Sequence, residues 1–454
     1  MDLVKEAKQT VKTRPVERVL SPLEDFTEQN SSGGIVLLVC TAIALFLANS
    51  DYGDLYSSFW ELPFTIGIGT YLLEKPLLLW INDGLMAIFF FVIGLEIKRE
   101  LLVGELSEPR QAILPIAAAF GGMVLPAVAY LLLNFHTPYT SGWGIPMATD
   151  IAFAIGLLGL LGSKVPFSAK LFLTTLAIVD DLGAVLVIAF FYTSDISWIS
   201  LGTGLGFLII LMSANRLGIR SPFIYGLFGI GGLWSAFLFS GLHPTIAGVL
   251  AAFTIPATSA MTKKEFAQKS EKFSQEFQRA EVPGVSVLEN KEQAEAVHAL
   301  ETANDLIQPP LQKLEHVLYP WVTFAIMPIF ALANAGVAIS TDFSSLAGNT
   351  LSLGIGLGLL LGKPLGIGLG AWIVVRFGSS ELPPHLHWPQ IIGLGFMGGI
   401  GFTMAIFIAT LAFHDPSDLQ AAKLAILFAS CLSACIGLLL LSKSTRTPIE
   451  TRTS

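Results

Sequence analysis

Leu171-Phe-Leu-Thr-Thr-Leu-Ala-Ile-Val-Asp-Asp-Leu-Gly-Ala-Val-Leu-Val-Ile-Ala-Phe-Phe191 decides the fold. The run has the ~20 mostly apolar residues that a helix needs to cross the ~30 Å hydrocarbon core. Asp180 and Asp181 stand side by side in its middle. One charge at the bilayer centre costs at least about 2.5 kcal/mol. Two neighbouring carboxyls there imply that they hold a cation, a proton, or each in turn.

The rest of the chain agrees with a membrane reading. Of its 454 residues 53% are hydrophobic and only 13% charged, too apolar for a soluble domain. The expected class is an all-α polytopic membrane protein with the lipid bilayer as its main partner and no nucleic-acid partner. Twelve crossings are expected near 34–49, 77–97, 112–133, 143–162, 170–192, 198–214, 222–240, 244–256, 317–338, 350–375, 391–412 and 420–441. With the N-terminus inside, 23 of the 26 Lys and Arg fall in cytoplasmic segments, Lys75 and Lys423 fall outside, and Lys363 lies mid-span. That bias matches the positive-inside rule and an even number of crossings. Residues 1–33 then form a polar cytoplasmic segment without the apolar region of a cleavable signal peptide. Residues 34–256 hold spans 1–8, 257–316 a polar cytoplasmic insert, 317–441 spans 9–12, and 442–454 a cytoplasmic tail. Within the insert, Asn290–Asp305 reads as helix, ended by Pro309-Pro310. Residues 62–75, outside, carry the glycines and β-branched residues of a short hairpin, whose edge can pair with a second copy. Cys40, Cys431 and Cys435 lie in apolar runs and read as small core residues.

Four ionisable residues lie near mid-span: Asp150, Asp180, Asp181 and Lys363. Lys363 has about 18 Å of helix on either side, too far for its side chain to reach the interface. Pairing with one of the carboxylates is the simplest arrangement, since an opposite charge offsets the penalty of burial. Two segments also look broken. Gly144-Ile-Pro-Met-Ala-Thr-Asp150 is poor helix material, and Gly398-Gly-Ile-Gly401 places three glycines mid-span. Each is the middle member of a trio, 112–192 and 350–441, and the two trios start on opposite sides. Inverted-topology repeats (spans 3–5 and 10–12) with broken helices crossing at mid-membrane mark secondary transporters. Asp150 can then compensate the positive N-terminal half-helix ends and Lys363 the negative C-terminal ends.

These residues resemble one family in detail. Trp143-Gly-Ile-Pro-Met-Ala-Thr-Asp-Ile-Ala-Phe-Ala-Ile-Gly156, Leu176-Ala-Ile-Val-Asp-Asp-Leu-Gly-Ala184, Gly362-Lys-Pro-Leu-Gly366 and Gly398-Gly-Ile-Gly-Phe-Thr-Met404 resemble the NhaA-type sodium/proton antiporters. So do Gly94-Leu-Glu-Ile-Lys-Arg-Glu100, Ser240-Gly-Leu-His-Pro-Thr-Ile-Ala-Gly248, Leu314-Glu-His-Val-Leu-Tyr-Pro-Trp321 and Asn334-Ala-Gly-Val337. Inverted repeats of this kind are known from that family among others, so the repeat argument and the resemblance are not independent. The resemblance implies pH-regulated, electrogenic exchange of internal sodium or lithium for external protons, with both termini cytoplasmic, in a cell (inner) membrane. It implies Asp181 as the main cation ligand, and Asp180 as its partner in proton exchange and as mate of Lys363. Asp150 and Thr149 would sit at the crossed breaks. Glu96, Arg99, Glu100, Glu315 and His316 would line a cytoplasmic funnel that senses pH, and His243 matches a histidine at which the pH response can be altered. The 62–75 hairpin would be the homodimer contact. Tyr319, Pro244 and the length of the insert depart from the family pattern, and bear on the pH range more than on transport.

No cofactor is expected and the chain does not read as an enzyme; sodium or lithium and protons are the cargo. A sodium-coupled symporter for an organic solute shares the crossed-helix architecture and is the main alternative. An intramembrane aspartyl protease needs two aspartates facing each other from separate helices. Asp150 with Asp181 can mimic that, but the protease motif Gly-x-Gly-Asp does not occur and Lys363 has no role in that chemistry.

Overall fold

The computed structural model describes residues 32–68, 71–193, 196–339, 348–378, 380–384 and 386–444. The expected N-terminal segment up to residue 31 and the tail beyond 444 lie outside the described residues. In chain order come α1 (Ser32–Ala48), α2 (Gly53–Trp60) and a hairpin of β1 (Pro63–Ile68) and β2 (Tyr71–Pro76), antiparallel, with Pro63 opposite Pro76. Then follow α3 (Leu77–Val103), α4 (Pro109–Asn134), a 3-10 helix (Thr140–Met147), α5 (Ile151–Leu160), α6 (Phe167–Phe191) and α7 (Trp198–Arg216). Next are α8 (Pro222–Leu238), α9 (Thr245–Thr254), α10 (Lys263–Arg279), α11 (Lys291–Ile307) and α12 (Pro310–Asn334). Last come α13 (Thr350–Arg376), α14 (Trp388–Gly398), α15 (Phe402–Ala412) and α16 (Pro416–Ser444).

Among the described residues, eight helices are long and apolar enough to cross a membrane, counting the 3-10 helix and α5 as one (Thr140–Leu160), or ten if two bent pairs each count once. The pairs are α1 with α2, bent by 117°, and α14 with α15, bent by 46°. This falls short of the twelve expected crossings. The reason is length: α8 and α9 are apolar but short, and the ten residues of α9 reach only about 15 Å. The structure adds detail to the insert expected over 257–316. The helix α12 already starts at Pro310, whose fixed φ suits the first turn, so Glu315 and His316 stand on a candidate span. The insert folds as two helices packed on each other, α10 and α11, and α10 was not expected. A Thr262–Glu265 capping box starts α10, and Asn290 caps α11. Main-chain bonds from Ala260 to Leu306 (2.9 Å) and from Leu311 to Pro256 (3.1 Å) close the base of the insert.

The chain divides into two compact units. One comprises residues up to 78, 108–187 and from 323 onward; the other comprises 79–107 and 188–322. In the second, α3 and α9 meet backbone to backbone: a Cβ on Gly248 would lie 2.3 Å from the Ala87 carbonyl oxygen. Leu95, Leu211, Leu233, Phe237 and Ala252 form its core.

In the first unit α13 packs on α4 through small residues, as membrane helices do when backbones approach. A Cβ on Gly366 would lie 2.1 Å from the Gly121 carbonyl oxygen. Gly366→Ala is therefore expected to destabilise the protein by about 1–3 kcal/mol. Gly368→Ala, with nothing within 4 Å of its new methyl, is expected to leave stability unchanged. Thermal unfolding of both variants in detergent checks this. A π-helical turn at Gly358–Gly362 precedes Lys363. Pro364 explains it: lacking an N–H, it cannot bond the Leu360 carbonyl, so the ladder reregisters there.

Candidate functional site

Two helix breaks lie in the first unit. After the 3-10 helix ends at Met147, Ala148 and Asp150 take extended conformations and α5 begins. Asp150 caps α5, its Oδ1 accepting from the Phe153 amide at 2.9 Å. Its Oδ2 accepts from the Thr403 amide at 3.1 Å and from the Thr403 hydroxyl, at the start of α15. One carboxylate thus meets the positive ends of two helices. The Asp150 amide donates to the Ile400 carbonyl at 2.7 Å, so the breaks are bonded directly across each other.

The opposite ends face Lys363. Its ammonium donates to the Met147 carbonyl, the last of the 3-10 helix, and to Asp180 Oδ2 at 2.6 Å. Its Cε lies 3.9 Å from where a Cβ on Gly398 would stand, beside the C-terminal end of α14. Thr149 Oγ1 is 2.7 Å from Asp180 Oδ2 and 2.8 Å from the Gly398 carbonyl. Its single hydrogen serves only one of them at a time. The other Asp180 oxygen, Oδ1, is buried with no hydrogen-bond partner among the described residues. Asp181 follows on α6, about 100° further round the helix. Asp150, Asp180, Asp181 and Lys363 are each at most 1% exposed.

Charge balance gives this arrangement its chemistry. The α5 and α15 ends offset Asp150. Asp180 is paired with Lys363 at 2.6 Å, and Asp181 is a second buried carboxyl beside it. Carboxyls so placed can exchange a proton for a monovalent cation, since either neutralises a charge that burial penalises.

The structure brings together Asp150, Thr149, Asp180, Asp181 and Lys363, all singled out from the sequence. Thr403 and the carbonyls of Met147 and Gly398 were not foreseen as parts of the site. For Thr403 the available signal was a hydroxyl residue just after the glycine break.

The other residues that the sequence singled out lie in the second unit. Arg99 bridges Glu315 through Nη1 and Glu100 through Nη2, both at 3.0 Å. Glu96 interacts electrostatically with all three, and His316 with Glu315. Lys98 donates to the Phe253 carbonyl at 2.7 Å and to that of Ile255, at the C-terminal end of α9. His243 does not join this group. It precedes the N-terminus of α9, where Nδ1 lies 2.8 Å from Thr245 Oγ1 and Nε2 lies 3.8 Å from Asp83 Oδ1. The length of α9, about 15 Å, separates the two places.

The comparisons with known proteins point the same way. The Na+/H+ antiporter 1 family model matches residues 24–441. The chain is 50% identical over 428 residues to a protein named Na(+)/H(+) antiporter NhaA from Oleidesulfovibrio alaskensis, covering 94% of this chain and 95% of that one. It is 48% identical to Na(+)/H(+) antiporter NhaA 2 from Syntrophotalea carbinolica, over 93% and 96%. It is 46% identical to Na(+)/H(+) antiporter NhaA from Koribacter versatilis, over 94% and 92%. With its motifs gathered at the crossed breaks and this similarity along nearly its whole length, the chain belongs to the Na+/H+ antiporter 1 family.

Proposed function

We propose that the protein extrudes sodium or lithium in exchange for external protons, with cation and protons competing for Asp180 and Asp181. The observation that carries this reading is the buried cluster: two neighbouring carboxyls, one of them paired with Lys363, where two helix breaks cross. Asp181 is the main cation ligand. Asp180, held by Lys363 and Thr149, is its partner in proton exchange. At low pH the carboxyls hold protons and sodium is shut out; at high pH they are ionised and bind it. They titrate as a coupled group. If two protons leave per sodium bound, the second from the Asp180–Lys363 pair, each cycle moves net charge and the membrane potential assists it.

The finer architecture belongs to the same proposal. Twelve crossings, with α8 and α9 as short ones, would place both termini in the cytoplasm of a cell (inner) membrane. The trios 112–192 and 350–441 would be inverted repeats whose middle members are the broken ones. The hairpin, with Phe64, Ile66 and Leu72 exposed, suits pairing of its edge with a second copy. Glu96, Arg99, Glu100, Glu315 and His316 would set the pH response, and His243 beside Asp83 would influence it from the other end of α9.

Arg99→Gln tests the pH response. It leaves Glu100 and Glu315 without the cation they share. Like charges then oppose full ionisation of the cluster, and half-maximal activity is expected about one unit higher in pH. A pH series of antiport rates checks this.

The exchange itself is tested in everted membrane vesicles acidified by respiration. Added sodium or lithium is expected to raise the internal pH with no organic solute present. Ion movement that requires an organic solute would support a symporter instead.

A further inference from the structure

The break between α14 and α15 leaves main-chain donors and acceptors that a lipid interior cannot satisfy. Asp150 and Thr149 meet some of them, as described above. The last helix, α16, meets others. Ser430 Oγ accepts from the Gly401 amide at 3.2 Å and from the Phe402 amide at 3.1 Å. Ser433 Oγ donates to the Phe396 carbonyl at 2.7 Å. The serines are three residues apart and share one face of α16. Both are buried. One therefore holds the start of α15 and the other the end of α14.

The packing around them is built for this approach. A Cβ on Gly399 would lie 2.5 Å from Ser433 Oγ and 2.5 Å from the Leu359 carbonyl oxygen. Only glycine fits there. Further along, a Cβ on Gly437 would lie 3.2 Å from the Gly393 carbonyl oxygen, so α16 follows α14 at backbone distance. The main-chain groups that the serines bind stand next to those that touch the site. Thr403, whose amide meets Asp150, follows Phe402. Gly398, whose carbonyl meets Thr149, is two residues beyond Phe396.

We propose that Ser430 and Ser433 are positioning residues for ion exchange, acting as a splint from α16 across the break and setting α14 and α15 against Thr149 and Asp150. The inference rests on the cation site proposed above. Without the Ser430 oxygen, two amide hydrogens lose their acceptor and add positive charge at the α15 end. That charge opposes a cation at Asp180 and Asp181. The Gly398 carbonyl also loses its fixed relation to Thr149. Both changes weaken sodium binding ahead of slowing turnover.

Initial rates of antiport across a sodium series test this in everted vesicles, with transporter amount measured in the same membranes. Ser430→Ala is expected to raise the apparent KM for sodium roughly tenfold, the equivalent of one to two buried hydrogen bonds. The maximal rate per transporter is expected to stay within about twofold of the parent, as for an interaction that chiefly serves binding. Ser430→Thr, which keeps the oxygen, is expected to restore the KM. Ser433→Ala is held to the same criterion and carries the test alone if Ser430→Ala does not reach the membrane. An unchanged KM, or a loss confined to transporter amount, overturns the proposal. Asp181→Asn in the same assay separates the two ideas. Parental antiport in that variant removes the cation-site reading. An inactive Asp181→Asn beside an unchanged KM in the serine variants removes only the splint.

Discussion

Asp181→Asn is expected to abolish sodium- and lithium-dependent proton movement while the protein remains folded in the membrane. Asparagine keeps the shape of the side chain and its dipole but removes the charge. At 1% exposure an amide is easier to bury than a carboxylate, so stability is expected to hold or rise. Losing one buried charged partner is worth roughly 3–5 kcal/mol, or about 10²–10⁴-fold in sodium affinity. The charge balance changes too. The carboxylate assigned to the cation is then gone, while Asp180 stays paired with Lys363. Undiminished antiport in Asp181→Asn membranes would sink the assignment.

Lys363→Met is the second large effect, and it acts on the fold as well as on transport. The lysine is fully buried and contacts Asp180 and the Met147 carbonyl. Removing it strands a carboxylate and a helix-end carbonyl together. Breaking one side of a buried pair costs roughly 3–5 kcal/mol, although Asp180 can limit the loss by holding a proton. Adding Asp180→Asn removes the stranded charge, so the double variant is expected to be more stable than Lys363→Met alone. Thermal unfolding of the parent, both single variants and the double variant in detergent gives the coupling between the two residues. Losses that simply add would mean that the 2.6 Å contact carries no energy.

Some of this was legible because lipid makes charge conspicuous. Asp150, Asp180, Asp181 and Lys363 stood out by the cost of placing them mid-span, and Lys363 needed a partner because neither interface was within reach. The glycines at 398–401 marked one break. Apart from Thr149, which the family resemblance supplied, hydroxyl roles were not legible. Thr41, Thr174 and Thr175 bond carbonyls four residues back in their own helices, the usual use of a threonine in a span. Nothing in the sequence separates Ser430 from them, and Thr403 is set apart only by following the glycine break. Helix α10 was legible but not read: Thr262-Lys-Lys-Glu265 is a capping-box sequence and Phe266, Phe273 and Phe277 keep helical spacing on one face. The shortness of α9 was visible beforehand: the expected crossing, 244–256, has thirteen residues where a span needs ~20.

The central claim is that sodium and protons compete for the same buried pair of carboxyls, Asp180 and Asp181. Titration calorimetry of sodium into the purified transporter, in buffers of different ionisation enthalpy across a pH series, tests it most directly. The account expects a heat that varies with the buffer and reports about one to two protons released per sodium bound. It also expects a sodium affinity that climbs with pH and then levels off. A heat independent of buffer, with an affinity that does not change with pH, would contradict it.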